Sequence, residues 1–190
     1  MSARHYEDRV VTTFMYCAVF WSLAGMLAGV WVAAELVWPT IDFGLPALSF
    51  GRLRTAHTTL VLFGFGVSGL IATAFYSVQR TSHVRLFAPG LAWVLFFAWQ
   101  LAIALGAASI LAGWTSGKEY AELEWPFDIA ITIAWVSFAV VFFGTIATRK
   151  AGEGSLSAAS AESNTADVLW LGALMRATVL LRLVVGFDDA

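Results

Sequence analysis

"RTAHTTLVLFGFGVSGLIATAFYSVQR", residues 54–80, decides the fold. Twenty-five residues separate its two arginines, and among them only His57 titrates near neutral pH. An uncharged run of about 18 or more residues reads as a helix crossing a bilayer. The stretch also contains Gly64-Phe65-Gly66-Val67-Ser68-Gly69, a letter-for-letter match to the G-x-G-x-x-G dinucleotide pattern. That pattern holds a pyrophosphate only between a strand and a helix, with an acid about 20 residues on. Here the glycines fall in mid-span and the next acid after Gly69 is Glu119, so the match is accidental.

Three further uncharged runs flank this one: 25 residues between Arg9 and Glu35, 32 between Arg85 and Lys118, and 20 between Asp128 and Arg149. Charged residues make up 13% of the 190-residue chain, about half the share of a soluble domain. Mean hydropathy is +0.77. The expected fold is all-α, a polytopic membrane helical bundle with four transmembrane helices at about 10–37, 55–79, 87–114 and 127–148. The first run is not expected to be a cleavable signal peptide: it is too long, and no small-residue cleavage site precedes a mature soluble domain. A net charge of −2 gives no reason to expect nucleic acid among the partners. The lone Cys17 excludes an intrachain disulfide and a C-x-x-C-H attachment site, so any haem would be held noncovalently.

Past residue 150 the pattern changes. Residues 151–167, "AGEGSLSAASAESNTAD", read as a linker of small and polar residues. Residues 168–187 read as a divergent C-terminal helix, a fifth span, an interfacial helix or a poorly folded tail, because Arg176 and Arg182 interrupt it. A central arginine costs several kcal/mol in a lipid-exposed span.

Arg4, Arg9, Arg80, Arg85, Arg149 and Lys150 fall on one side of the bilayer, and Arg52, Arg54 and Lys118 on the other. The richer side is expected to be cytoplasmic, with the N-terminus inside. The connection leading to His57 and the segment "SGKEYAELEWPFD", residues 116–128, then share the outer face.

His57, Val61, Gly64 and Ser68 recur at i, i+4, i+7 and i+11, on one face of a helix. Small residues on that stripe can admit a neighbouring helix or leave room for a flat ligand beneath the histidine. A histidine inside a span is a candidate functional residue, and a neutral imidazole is a good axial ligand for iron. The plainer alternative is a helix-end histidine bonded to a backbone carbonyl. Arg52 and Arg54 lie within about a turn of it; Arg54 is a candidate cation for haem propionates, or an ordinary flanking arginine. Glu119 and Glu122, at i and i+3 beside Glu124, could hold a hard cation such as calcium or form a solvated acidic loop. His5 and His83 make poor second ligands, since His83 is 26 residues from His57, about 39 Å along a helix.

At these residues the chain resembles a known family. "GRLRTAHTTLVLFGFGVSGLIATAFYSVQRT" is similar to the second helix of the catalytic subunit I of cbb3-type cytochrome c oxidases, the C-family haem–copper oxidases. "SGKEYAELEWPFDI" followed by "FFGTIATRK" resembles its third-to-fourth helix region, and the likeness spans about residues 8–150. The resemblance implies that His57 is an axial ligand of a low-spin haem b and that Arg54 sits by its propionates. It implies that Glu119 and Glu122 lie near a calcium and those propionates. It further implies respiratory oxygen reduction with electrons from cytochrome c-type subunits, coupled to proton translocation, in the bacterial inner (cytoplasmic) membrane.

The family's second low-spin ligand, high-spin haem ligand and copper histidines lie later than residue 150, where this chain has no histidine. The expectation is therefore the N-terminal, truncated part of subunit I, which needs the remaining helices to complete its haem. The alternatives are a nitric oxide reductase-like subunit, or a nonenzymatic membrane scaffold or remnant without cofactor.

Overall fold

The computed structural model describes residues 6–115 and 125–149. Four helices in it are long and apolar enough to cross a membrane: α1 (Asp8–Glu35), α2 (Phe50–Ser82), α3 (Pro89–Ala112) and α4 (Trp125–Ala147). No strand occurs among the described residues. The chain is an all-α, multi-pass membrane protein.

The helix ends follow local chemistry. Trp38 precedes Pro39 and is held out of the helical region, so α1 stops just before it. Two short 3₁₀ turns, Pro39–Asp42 and Pro46–Leu48, carry the chain to α2, each opened by its proline. Between them Asp42 accepts the Gly44 N–H at 2.9 Å, and Gly44 has a φ of +67°. His83, at a φ of +56°, ends α2. Pro89 opens α3. Gly113 closes it with a φ of +92°; its N–H reaches Ile110 O and that of Trp114 reaches Ser109 O, the double bond of a Schellman cap.

The spans begin and end within a few residues of the charge boundaries, except that α2 is longer at its start. It runs through Arg52 and Arg54 to Phe50, because long basic side chains extend from a helix end without breaking it. Its middle, Leu60–Val67, is π-helical, a wider turn that the apolar pattern does not announce.

Small residues let the helices approach. Ala18, Gly25, Ala56, Gly64, Ala72, Ala92, Ala102, Gly106 and Ala134 are buried along the seams. The N-terminal end of α1 meets the end of α2 and the start of α3 around an aromatic core. Phe14 meets Phe96 edge-on at 5.0 Å, and Phe75 stacks on Phe138 of α4 at 5.4 Å. Fully buried Gln79 anchors this end, accepting the Glu7 N–H at 2.7 Å and donating to Phe75 O at 3.1 Å. Arg80 pairs with Asp8 at 2.9 Å and lies over the Tyr6 ring, and Arg85 pairs with Glu7. The basic residues used to orient the chain thus have acidic neighbours, which leaves the expectation intact because lysine and arginine, not net charge, set the bias.

Candidate functional site

His57 projects from α2 onto α1. Its Nδ1 lies 2.7 Å from the carbonyl oxygen of Gly25. A carbonyl only accepts, so Nδ1 carries the proton, and in the neutral ring Nε2 keeps its lone pair. Nε2 has no hydrogen-bond partner among the described residues. The ring is half-buried. Its Nδ1–Cε1 edge faces Gly29, where a Cβ would stand 2.7 Å from Cε1 and 2.9 Å from Nδ1.

The rest of the stripe faces the same seam. Val61 packs on Gly25, where a Cβ would come within 2.7 Å of the valine Cγ2. Gly64 admits the indole of Trp21, which comes within 2.8 Å of where a Cβ would be. Trp21 Nε1–H donates to Gln100 Oε1 of α3 at 2.6 Å, and Gln100 Nε2 donates to Ser68 Oγ at 3.3 Å. So Gly64 is filled by helix packing. Gly66 meets only Val61 O at 3.5 Å, and Gly69 has nothing within 4 Å. The π-helical segment contributes a carbonyl as well: Trp99 Nε1–H reaches Phe63 O at 3.3 Å.

The two arginines before His57 separate. Arg52 turns to α3, where Nη1–H donates to Leu111 O at 3.0 Å. Arg54 is exposed, at the same end of α2 as His57. Glu119 and Glu122, the sequence's candidates for a calcium region, lie outside the described residues, as do His5 and the segment 151–187. Among the described residues no group of three or more His, Cys, Asp or Glu side chains gathers to hold a metal ion.

Sequence reasoning missed the other half of the histidine's surroundings. Gly25 and Gly29 form a Gly-x-x-x-Gly pattern in α1, the familiar mark of close helix approach. That spacing was legible; that its partner would be His57 was not.

The bond to the Gly25 carbonyl is the one the plainer alternative calls for, a histidine satisfied by a backbone carbonyl, and it equally fits a metal ligand, because Nε2 is left to offer. One imidazole, oriented by a backbone carbonyl through Nδ1 and offering Nε2, is the usual arrangement of a metal-binding histidine.

Comparison with known proteins gives the family of the chain. The family described as cytochrome c and quinol oxidase polypeptide I matches residues 9–187, a match that continues past residue 150. A cbb3-type cytochrome c oxidase subunit CcoN1 from Stutzerimonas stutzeri is 57% identical over 145 residues, covering 76% of this chain and 31% of that protein. A cytochrome c oxidase subunit 1 from Rhodobacter capsulatus is 45% identical over 152 residues, covering 78% of this chain and 29% of that protein. A cytochrome c oxidase subunit 1 homolog from Azorhizobium caulinodans is 48% identical over 146 residues, 77% of this chain and 26% of that protein. The chain thus spans under a third of the length of these relatives. Haem and copper are the cofactors of this family in general. With its four apolar spans and the family match over most of its length, the chain belongs to the cytochrome c and quinol oxidase polypeptide I family, on the cbb3-type branch of subunit I.

Proposed function

We propose that this chain supplies one axial ligand, Nε2 of His57, to a low-spin haem b in a respiratory cbb3-type cytochrome c oxidase. The observation that carries the proposal is the Nδ1 contact with Gly25 O at 2.7 Å, which commits one ring nitrogen and leaves the other with its lone pair. Haem b, when bound, relays single electrons by cycling between ferric and ferrous iron. A second ligand to the iron would come from elsewhere in subunit I. Arg54, exposed at the same helix end, is the cation assigned to the propionates. Glu119 and Glu122 are assigned to a calcium and propionate region on sequence alone.

In the assembled enzyme, cytochrome c-type subunits deliver electrons, oxygen is reduced, and protons are translocated across the bacterial cytoplasmic membrane with the N-terminus inside. The relatives' names, all oxidase subunits, favour this over a nitric oxide reductase. The test is a reduced-minus-oxidised and pyridine haemochrome spectrum of a full-length subunit I that carries this sequence. A haem b signal present in the wild type and lost in His57→Ala is expected. A normal signal in His57→Ala rules out the ligand role, and its absence from the wild type favours a cofactor-free scaffold.

A further inference from the structure

We propose that Gly25 and Gly29 of α1 are positioning residues for His57, forming a seat that fixes the tautomer and rotation of its ring before any haem arrives. The proposal rests on the haem-ligand reading of His57 and deepens it, by assigning to the first helix a role that the ligand-bearing helix alone cannot fill.

Two independent contacts define the seat. The Gly25 carbonyl takes the Nδ1 proton at 2.7 Å, which selects one of the two neutral tautomers. Gly29 leaves the ring its place by having no side chain. A Cβ there would lie 2.7 Å from Cε1, 2.9 Å from Nδ1 and 3.4 Å from Nε2. The imidazole is compact and joined by two rotatable bonds, so it cannot flex its end away from a methyl group; it must swing as a whole. Swinging breaks the 2.7 Å contact with Gly25 and redirects Nε2. The four-residue spacing puts both contacts on one helical face, one turn apart. Val61, one turn after His57, fills the space over Gly25 and holds the two helices at that distance. The histidine therefore pays little ordering entropy on binding metal, because its rotamer is already chosen by α1.

The experiment uses the full chain in lipid nanodiscs with ¹⁵N-labelled histidine. In the wild type, Nδ1 of His57 should appear as the protonated nitrogen and Nε2 as the unprotonated one. Gly29→Ala should abolish that pattern, giving a mixture of tautomers or the reverse one. Gly69→Ala, which places the same methyl in open space, should leave it unchanged. An unchanged His57 pattern in Gly29→Ala overturns the seat, and so does an equal change in Gly69→Ala. Should Gly29→Ala unfold, the double variant Gly29→Ala/His57→Ala decides: stability regained on removing the ring shows that the methyl acts against His57, and no regain overturns the proposal.

A second arm adds haem b to each chain, with free imidazole to stand in for the other axial ligand, and reads the low-spin optical signature. Gly29→Ala should bind about 10–100-fold more weakly, the effect of losing an outer partner of a metal ligand. Equal binding in Gly29→Ala, with the tautomer pattern altered, overturns the positioning role but not the ligand. A wild-type chain that binds no haem overturns the ligand reading and the positioning role with it, while the tautomer measurement still decides whether the seat exists.

Discussion

Arg52 ties the start of α2 to the end of α3: its Nη1–H donates to Leu111 O at 3.0 Å, and its guanidinium occupies the space beside Gly113. The last carbonyls of a helix have no partners within it, and a cation there also meets the negative end of the helix dipole. One side chain thus closes α3 and sets the depth of α2, the helix that carries His57.

Arg52→Leu should therefore lower the stability of the chain in detergent by about 1.5–3 kcal/mol, the range for a hydrogen bond from a charged donor. Arg52→Lys should recover only part of it, since an ammonium lacks the planar fork. Gly113→Ala should destabilise too, because its φ of +92° disfavours a side chain and the new methyl would meet Arg52 Nη2 at 2.5 Å. Thermal unfolding of the purified variants checks all three.

The accidental nucleotide pattern makes its own prediction, because its three glycines differ. Gly64→Ala should cost about 1–3 kcal/mol, since the methyl would strike the Trp21 ring at 2.8 Å and the indole is held by its hydrogen bond to Gln100. Gly66→Ala and Gly69→Ala should be neutral or stabilise by up to about 1 kcal/mol, since a methyl makes an ordinary 3.5 Å contact with Val61 O at the first and meets open space at the second, and alanine has the better helix propensity. Equal losses at all three would show that the pattern works as a unit.

Trp21, Gln100 and Ser68 join three helices by side-chain hydrogen bonds within the span. A double-mutant cycle of Trp21→Phe and Gln100→Leu should give a coupling of about 0.6–1.7 kcal/mol, the range measured for such bonds in bilayers. Trp21→Phe alone should cost more than the double variant implies, because it strands the Gln100 carbonyl. Reversible unfolding in mixed micelles provides the four free energies, and a coupling near zero would assign the network to packing alone.

At the opposite end, Gln79 accepts from the Glu7 N–H while fully buried. Gln79→Leu leaves that donor without its partner and should cost about 1–3 kcal/mol. Asp8→Asn, which weakens the exposed pair with Arg80, should cost under about 1 kcal/mol and less still at high salt. Hydrogen exchange at the start of α1 should accelerate in the first variant and hardly change in the second.

The spans were legible because the charges of this chain are segregated: a run of 25 residues with no Asp, Glu, Lys or Arg has few folds open to it. The stripe His57–Val61–Gly64–Ser68 was also legible as one face, but its occupant was not. Sequence spacing left packing and a flat ligand both open, and the answer at Gly64 depended on Trp21, 43 positions earlier. The π-helical segment Leu60–Val67 was invisible for a different reason: in a stretch this uniformly apolar, bonding to the fifth residue instead of the fourth changes no polarity pattern. Arg52 and Arg54 looked alike on paper, two residues apart, yet the helix turns them about 200° from each other, and it is Arg52 that donates to Leu111 O of α3.

The Gly-x-x-x-Gly of α1 has one more consequence. That pattern is commonly taken as an invitation for two copies of a span to dimerise. Here the imidazole of His57 lies against Gly29 and the isopropyl group of Val61 against Gly25, so the groove is filled from within the same polypeptide. A second copy could enter only by evicting the very side chain on which the haem reading depends, and self-association through this surface is closed for as long as His57 stays in place.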